Sequence, residues 1–410
     1  MKKIAIVGGG IAGLSSIHYL MKKYNSNDIY LFEKENYLGG RVRTIKWGHH
    51  YIDVGAQFLT KEDKEAFRLL RDLNLMERLK KMNMDFYFHD GEKLFSSSLI
   101  GLFRNTNIKE KKEVIKLFIK LRKTKKEFNL VPPDDISSEY TSKTFREWYT
   151  ENVGSQLLRL YDPLLRAMCF TDSSEVSALY GLSIVSALSD QCYSFPNGLS
   201  EIIENLRQET KNVNLETNRL VDRIELSKSD INVNGIKFSD VILTIPFSEV
   251  KKIMNGFDKV NIDYYSCTYI ILSLNKRYLN NGYAIFPPKE SPISFISDET
   301  LKYNKTKDSR SVLGVIIPDK NERRIRDDKK LINIVIQELN RLIGLSEEDI
   351  LEYKMYKWDY ALPLCSPEFH KSLNKLKTLQ LNNIHLCGDY MSLPSLDGAI
   401  ESARLCVEII

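Results

Sequence analysis

Three glycines near the start of the chain, Gly8, Gly10 and Gly13, stand in the spacing G-x-G-x-x-G. Ile4, Ala5, Ile6 and Val7 precede them and are apolar at every position, which predicts a short strand buried on both faces. Ile11, Ala12, Leu14 and Ile17 follow with helical spacing. In that setting Gly8 makes the tight turn, Gly10 lets a pyrophosphate approach the backbone, and Gly13 lets helix and strand pack closely. The helix N-terminus adds unpaired N–H groups and partial positive charge for the phosphates. A second apolar strand, Ile29-Tyr30-Leu31-Phe32, ends on Glu33, 20 residues beyond Gly13. A carboxylate there accepts hydrogen bonds from the adenosine ribose and repels a 2′-phosphate, so the chemistry is dinucleotide binding and NADP is disfavoured.

Further motifs narrow the reading. Gly39-Gly40-Arg41-Val42-Arg43-Thr44 supplies two glycines for a turn near the pyrophosphate and a cation, Arg41, beside it. Asp53-Val54-Gly55-Ala56-Gln57 comes next. At the far end, Ile384-His385-Leu386-Cys387 runs into Gly388-Asp389, and Asp397-Gly398-Ala399 opens a terminal helix. Together these segments resemble the flavin amine oxidase superfamily, which includes monoamine and polyamine oxidases, protoporphyrinogen oxidases and carotenoid-type desaturases. The resemblance spans the whole chain, with specific motifs at both ends and a vaguer middle.

That resemblance implies an α/β fold, a Rossmann-like FAD-binding domain intertwined with an α+β substrate domain carrying a helical cap. It implies a non-covalent FAD contacted by Gly8, Gly10, Ala12, Gly13, Glu33 and Lys34, with Gly40 and Arg41 at the pyrophosphate. Gly55, Ala56 and Gln57 would lie near the flavin ring, and backbone groups at Val221 would hold the adenine. Gly388 and Asp389 would meet the ribityl or phosphate end. Leu396, Asp397 and Ala399 would present a helix N-terminus to the flavin N1–C2=O edge, where reduced flavin carries negative charge. Two half-sites about 375 residues apart suit an extended FAD better than NAD.

At 410 residues the chain exceeds one core, and two intertwined domains are expected. The FAD-binding domain is placed at 1–75, 199–250 and 351–410, and the substrate domain at 76–198 and 251–350. Hydrophobic content of 43% with 28% charge is that of a globular protein, and a net charge of +5 is too small to suggest nucleic acid. No apolar run approaches the roughly 20 residues of a transmembrane helix. The opening Met-Lys-Lys mimics a signal peptide, but the glycines and the missing small-residue cleavage site argue against one. Six scattered cysteines without metal-ligand spacing predict buried free thiols, no metal and a cytoplasmic setting.

Between the motifs, a helix is expected over Lys61 to Leu75. Residues 107–130 are basic and amphipathic, with nine Lys and Arg against three Glu. Either one apolar face is buried in an outer helix, or the stretch contacts a membrane surface. Thr144 to Leu188 predicts a helical cap. A helix from Ser200, capped by that serine, and a strand over Asp240 to Pro246 follow. Tyr264 to Val315 alternates β-branched and aromatic runs with turns, predicting a mixed sheet under the cap. A charged helix is expected over Asp327 to Leu342.

The chain departs from amine oxidases at the site itself. They place a lysine on the strand occupied here by Ser266 to Leu274, which has none. The positions of their two ring-facing aromatics align with Ser395 and Ser366. Cys365 falls near a cysteine that some members link to flavin. Trp358 and Tyr360 are alternative ring-facing residues, Gln57 is a further weak catalytic candidate, and His49 or His50 could border the ring. No second G-x-G-x-x-G offers an NADPH site, so the substrate should supply the hydride. The expected activity is FAD-dependent removal of a hydride from a small cyclic or lipophilic molecule at a C–C or C–N bond, flavin N5 accepting it. A true amine oxidase is the alternative, and a non-redox flavoprotein (an isomerase or binding scaffold) is the rival of another class.

Overall fold

The structure is a computed structural model that describes residues 2–124, 138–188, 190–227, 230–279, 282–303, 310–319, 325–379, 381 and 383–410. Two sheets organise it. The first is parallel and five-stranded, in the spatial order Asn214–Glu216, Ile29–Phe32, Ile4–Val7, Asp240–Leu243, Ile384–Leu386. Numbered along the chain this is 3-2-1-4-5, the doubly wound arrangement in which ligands bind beyond the carboxyl ends of the strands at the central crossover. Its central strand is buried throughout, as an apolar run flanked by parallel neighbours must be. Helices Ile11–Leu20 and Leu396–Glu408 pack on one another across it. Leu14, Ile17, Ile400 and Ala403 share one apolar cluster with Ile4 and Ile6.

The second sheet is mixed and seven-stranded, in the order Ile350–Pro363, Tyr264–Leu274, Ser311–Asp319, Phe295–Asp298, Ala284–Phe286, Phe86–His89, Leu94–Ser96. The strand Ile350–Pro363 pairs antiparallel with Tyr264–Leu274. The segment 351–363, assigned from sequence to the FAD-binding part, is therefore a strand of the other sheet. A long strand whose residues are nearly all exposed or half-buried suits an edge position there.

Three cap helices, Phe145–Asn152, Leu158–Cys169 and Ala178–Ala187, occupy the stretch read as helical, and their apolar faces join the mixed sheet in one core. Thr144 and Glu147 form a capping box at the first of them. The expected helix at 61–75 spans Lys64–Asp72, and that at 327–342 spans Asp328–Ile343 with Asp327 as its N-cap. Ser200 does not cap its helix, because its hydroxyl accepts from the Thr44 amide at 2.7 Å and the cap position is Leu199. All six cysteines are buried free thiols. Among the described residues no helix is long and apolar enough to cross a membrane.

Candidate active site

The glycine turn has the geometry its spacing implies. Gly8 has φ +110°, and its amide donates to the Phe32 carbonyl at 2.8 Å. A Cβ on Gly13 would stand 2.0 Å from the Gly8 carbonyl oxygen, so helix and strand touch at backbone distance. A Cβ on Gly10 would meet nothing within 4 Å, which leaves open space before the helix N-terminus. Thr244, at the end of the neighbouring strand, donates to the Val7 and Gly8 carbonyls at 2.9 and 2.8 Å and braces the turn.

Glu33 sits beside this turn and is buried. Its Oε2 accepts from the Gly9 amide at 2.6 Å and its Oε1 from the Glu35 amide at 2.8 Å. The carboxylate thus fixes the loop and keeps lone pairs for hydroxyl donors. The Arg219 amide donates to the Glu33 carbonyl, which draws the segment leading to Val221 alongside. Lys34 points outward and pairs loosely with Glu35.

The Gly39-Gly40 turn docks on the first one, the Gly39 amide donating to the Gly9 carbonyl at 2.8 Å. Both glycines have positive φ, +108° and +55°. Arg41 then extends to Asp389, with N–H···O bonds of 2.6 and 2.9 Å, and also donates to the Ala361 carbonyl at 3.2 Å. The backbone of Val54 and Ala56 donates to the Arg43 and Arg41 carbonyls, bringing Gly55, Ala56 and Gln57 to the same place.

These segments open into one cavity of about 240 Å³. One side is formed by Ile11, Arg41, Gly55, Ala56, Gln57, Asp389, Ser395, Leu396 and Ala399. The other is formed by Ala167, Met168, Phe170, Cys267, Tyr269, Phe295, Ile316 and Trp358, from the cap and the mixed sheet. Trp358 is locked by its indole N–H, which donates to the Val54 carbonyl at 2.7 Å. Phe170 closes the helix Leu158–Cys169 in the left-handed region, φ +64°, an uncommon state for a bulky residue and one that aims its ring at the cavity. Burial pushes the Cys267 thiol up to about 12, so it stays protonated.

Several residues singled out from sequence lie elsewhere. The Tyr360 hydroxyl is bound to Glu249 and its ring packs edge-on to Tyr264, away from the cavity. Cys365 lies between Ser177 at 3.8 Å and His370 at 3.7 Å, outside the lining. Ser366 caps the helix Pro367–Thr378, accepting from the Phe369 amide. Of the two serines aligned with ring-facing aromatics, only Ser395 reaches the cavity, and it too is a helix cap. Asp397 turns its Oδ1 to the Ala66 amide at 2.7 Å rather than to the cavity, and burial raises its carboxyl to about 8. His49 is exposed and His50 half-buried at a hairpin end, neither in the lining.

A buried polar cluster joins Asp53 to residues outside the sequence motifs. Lys302 Nζ meets Asp53 Oδ2 at 2.6 Å, with the two side chains only 2% and 1% exposed. Tyr269 connects this cluster to the cavity through Glu299, which accepts from its hydroxyl at 3.3 Å. Burial raises the Glu299 carboxyl. Lys302 lies in an ordinary polar stretch, and nothing in its neighbours announces burial.

The residues suit a flavin dinucleotide. Gly10 leaves open space before the helix N-terminus that would admit a phosphate, and Gln57 Nε2, buried on the lining, has no hydrogen-bond partner among the described residues. Comparisons agree in kind. A coproporphyrinogen III oxidase from Staphylococcus aureus (strain NCTC 8325 / PS 47) is 21% identical over 463 residues, covering 98% of this chain and 96% of that one. The crystal structure of a putative protoporphyrinogen oxidase from Exiguobacterium sp. 255-15 superposes with a TM-score of 0.79 at 18% identity, over 100% of this chain and 98% of that one. A fatty acid isomerase from P. acnes that produces CLA gives the same TM-score at 14% identity and the same coverage. The family profile described as flavin containing amine oxidoreductase matches residues 11–410, and the chain is a flavin oxidoreductase enzyme of that family.

Proposed function

We propose that this enzyme binds FAD non-covalently and takes a hydride from an uncharged, cyclic or lipophilic substrate at a C–C or C–N bond. The observation that carries this is a cavity joining Ile11 and Arg41, the residues that follow the two glycine turns, and Gly55, Ala56 and Gln57 to an apolar wall of Phe170, Tyr269, Phe295, Ile316 and Trp358. Gly10 and the helix N-terminus behind it suit the pyrophosphate, Glu33 the ribose, and Gln57 with the first turn of Leu396–Glu408 the polar edge of the ring. Bound there, the flavin supplies a two-electron hydride acceptor.

The chain's own groups exclude water and orient the substrate. Arg41 and Asp389 are the charged residues on the lining, and each neutralises the other. The part of the substrate held there is therefore uncharged, because an ion would have to be desolvated without a counter-charge. Similarity to porphyrinogen oxidases supports a ring system. Non-covalent binding is supported by Cys365 lying outside the lining and by the protonated state of Cys267.

Purified protein should be yellow, with a band near about 450 nm that follows the supernatant after acid precipitation. Anaerobic mixing with partly reduced tetrapyrroles or polyenes should bleach it. A protein that takes up no FAD refutes the proposal. Substrate conversion without bleaching would favour an isomerase, the second reading raised by the likeness to the fatty acid isomerase.

A further inference from the structure

The helix Ile108–Thr124 buries its acids and exposes its oils. Its two carboxylates, Glu110 and Glu113, both point inward and are buried. Glu110 accepts from Arg159 Nε at 2.6 Å. Glu113 accepts from the amides of Ser155, Gln156 and Leu157 at 3.0–3.1 Å, holding the start of the helix Leu158–Cys169. Of the apolar residues expected to form one buried face, only Leu117 is fully buried, with Val114 and Leu121 half-buried beside it. Ile115, Phe118 and Ile119 are exposed on the outer face with Ile108, which is 73% accessible. The preceding helix, Leu99–Asn105, adds exposed Leu99, Ile100 and Phe103.

Single exposed apolar residues are ordinary, but seven on two consecutive helices mark a contact surface. Arg104, Lys109, Lys112, Lys116 and Arg122 are exposed on the same two helices, and the Arg122 guanidinium lies 5.2 Å from the Phe118 ring centroid. No exposed acid accompanies them, since Glu110 and Glu113 are the only acids in either helix. We infer that this face docks on an anionic lipid bilayer, its isoleucines and phenylalanines entering the headgroup boundary while the lysines and arginines meet lipid phosphates. Charge complementarity selects this occupant. A second copy joined by a two-fold axis would set one cationic face against another.

The test is co-sedimentation of the flavin-loaded protein with phosphatidylcholine vesicles, with and without phosphatidylglycerol. Binding should be at least about tenfold stronger with phosphatidylglycerol and should weaken as salt rises. The triple variant Ile115→Ser/Phe118→Ser/Ile119→Ser and the double variant Lys109→Glu/Lys112→Glu should each lose about tenfold or more in partitioning. Their flavin absorbance and melting temperature should match the parent, since these side chains are exposed and none lines the cavity. Three results would overturn the inference: no binding to anionic vesicles at low salt, equal binding by parent and variants, or a dimer in light scattering that the triple variant dissolves.

Discussion

Arg41 and Asp389 lie 348 residues apart in the chain and meet as a two-pronged ion pair, with N–H···O distances of 2.6 and 2.9 Å. The pair ties the turn after the second parallel strand to the turn after the fifth, and Arg41 adds the Ala361 carbonyl from the mixed sheet. The guanidinium is thus committed within the chain, and Arg41 ties three segments of the site together. Its planar fork, not its charge alone, makes the double contact. Arg41→Lys should cost about 1 kcal/mol in urea unfolding and Asp389→Ala about 2–3, since the second leaves a partly buried cation without its partner. If both variants unfold like the parent, the pair is not a structural tie.

Asp53 and Lys302 form a more buried pair. Asp53 also accepts from the Leu199 amide at 2.9 Å and from the Thr44 hydroxyl at 2.5 Å, so both oxygens are engaged. Lys302→Met strands that carboxylate, and a loss of about 3–5 kcal/mol is expected in denaturant titrations. Adding Asp53→Asn to Lys302→Met should recover part of the loss. A double variant no better than the single would mean that packing around Lys302, not charge, sets the cost.

The carboxyl of Asp397 is raised to about 8, chiefly by burial and next by the nearby Asp63. A raised carboxyl disfavours the ionised native state. The associated stability is therefore complete below the ordinary carboxylate range and is lost as pH climbs from about 4 to 8. Its Oδ2 is buried and finds no partner among the described residues, in keeping with a bound proton. Asp397→Asn keeps an acceptor for the Ala66 amide, so it should flatten the decline and gain a few kcal/mol at pH 8, of order 1–3. Parallel stability–pH curves for the two proteins would place the titration elsewhere.

The glycines separate folding from cofactor binding. Gly13→Ala sets a Cβ 2.0 Å from the Gly8 carbonyl oxygen and should destabilise the apoprotein by about 2 kcal/mol or more. Gly10→Val faces open space and has ordinary backbone angles, φ −73° and ψ −176°, so the apoprotein should melt within a few degrees of the parent. Its FAD dissociation constant should nonetheless rise by about tenfold or more, because the side chain occupies the position that Gly10 leaves open. Normal FAD affinity in Gly10→Val would move the pyrophosphate away from this turn.

The ends of the chain were readable because backbone geometry there demands particular residues. Gly8, Gly10 and Gly13 follow from a turn, a gap and a backbone contact, and Glu33 from the strand end beside them. Side-chain destinations carried no such mark. Asp397 lies two residues past the helix cap Ser395, and only the fold shows that it turns toward Ala66. Tyr360 and Trp358 are two residues apart on one strand, yet one meets Glu249 and the other the cavity. For Ile108–Thr124 the pattern of apolar residues was clear, but its facing was not, because inward glutamates paired across the cap reverse the usual rule.

Charge on the lining also bears on the proposed reaction. Arg41 and Asp389 cancel, and the rest of the far wall is Ala167, Met168, Phe170, Cys267, Tyr269, Phe295, Ile316 and Trp358. A primary amine with a pKa near 10 must shed its proton to enter such a cavity at pH 7, which costs about 4 kcal/mol at about 1.4 kcal/mol per pH unit. Ser395, the one aligned serine that reaches the cavity, has its hydroxyl committed to the Gly398 amide and the Leu393 carbonyl. It therefore offers an amine little in return. A neutral ring or polyene has no proton to lose and can pack against the fixed Trp358 ring. In stopped-flow work, simple amines should bleach the flavin slowly at pH 7, the rate rising about tenfold per pH unit toward pH 10. Partly reduced rings or polyenes should show no such slope. Bleaching by benzylamine or a polyamine at about tens per second at pH 7, without a pH slope, would mean that the cavity carries a counter-charge for an ammonium group and would restore amine oxidation as the reaction.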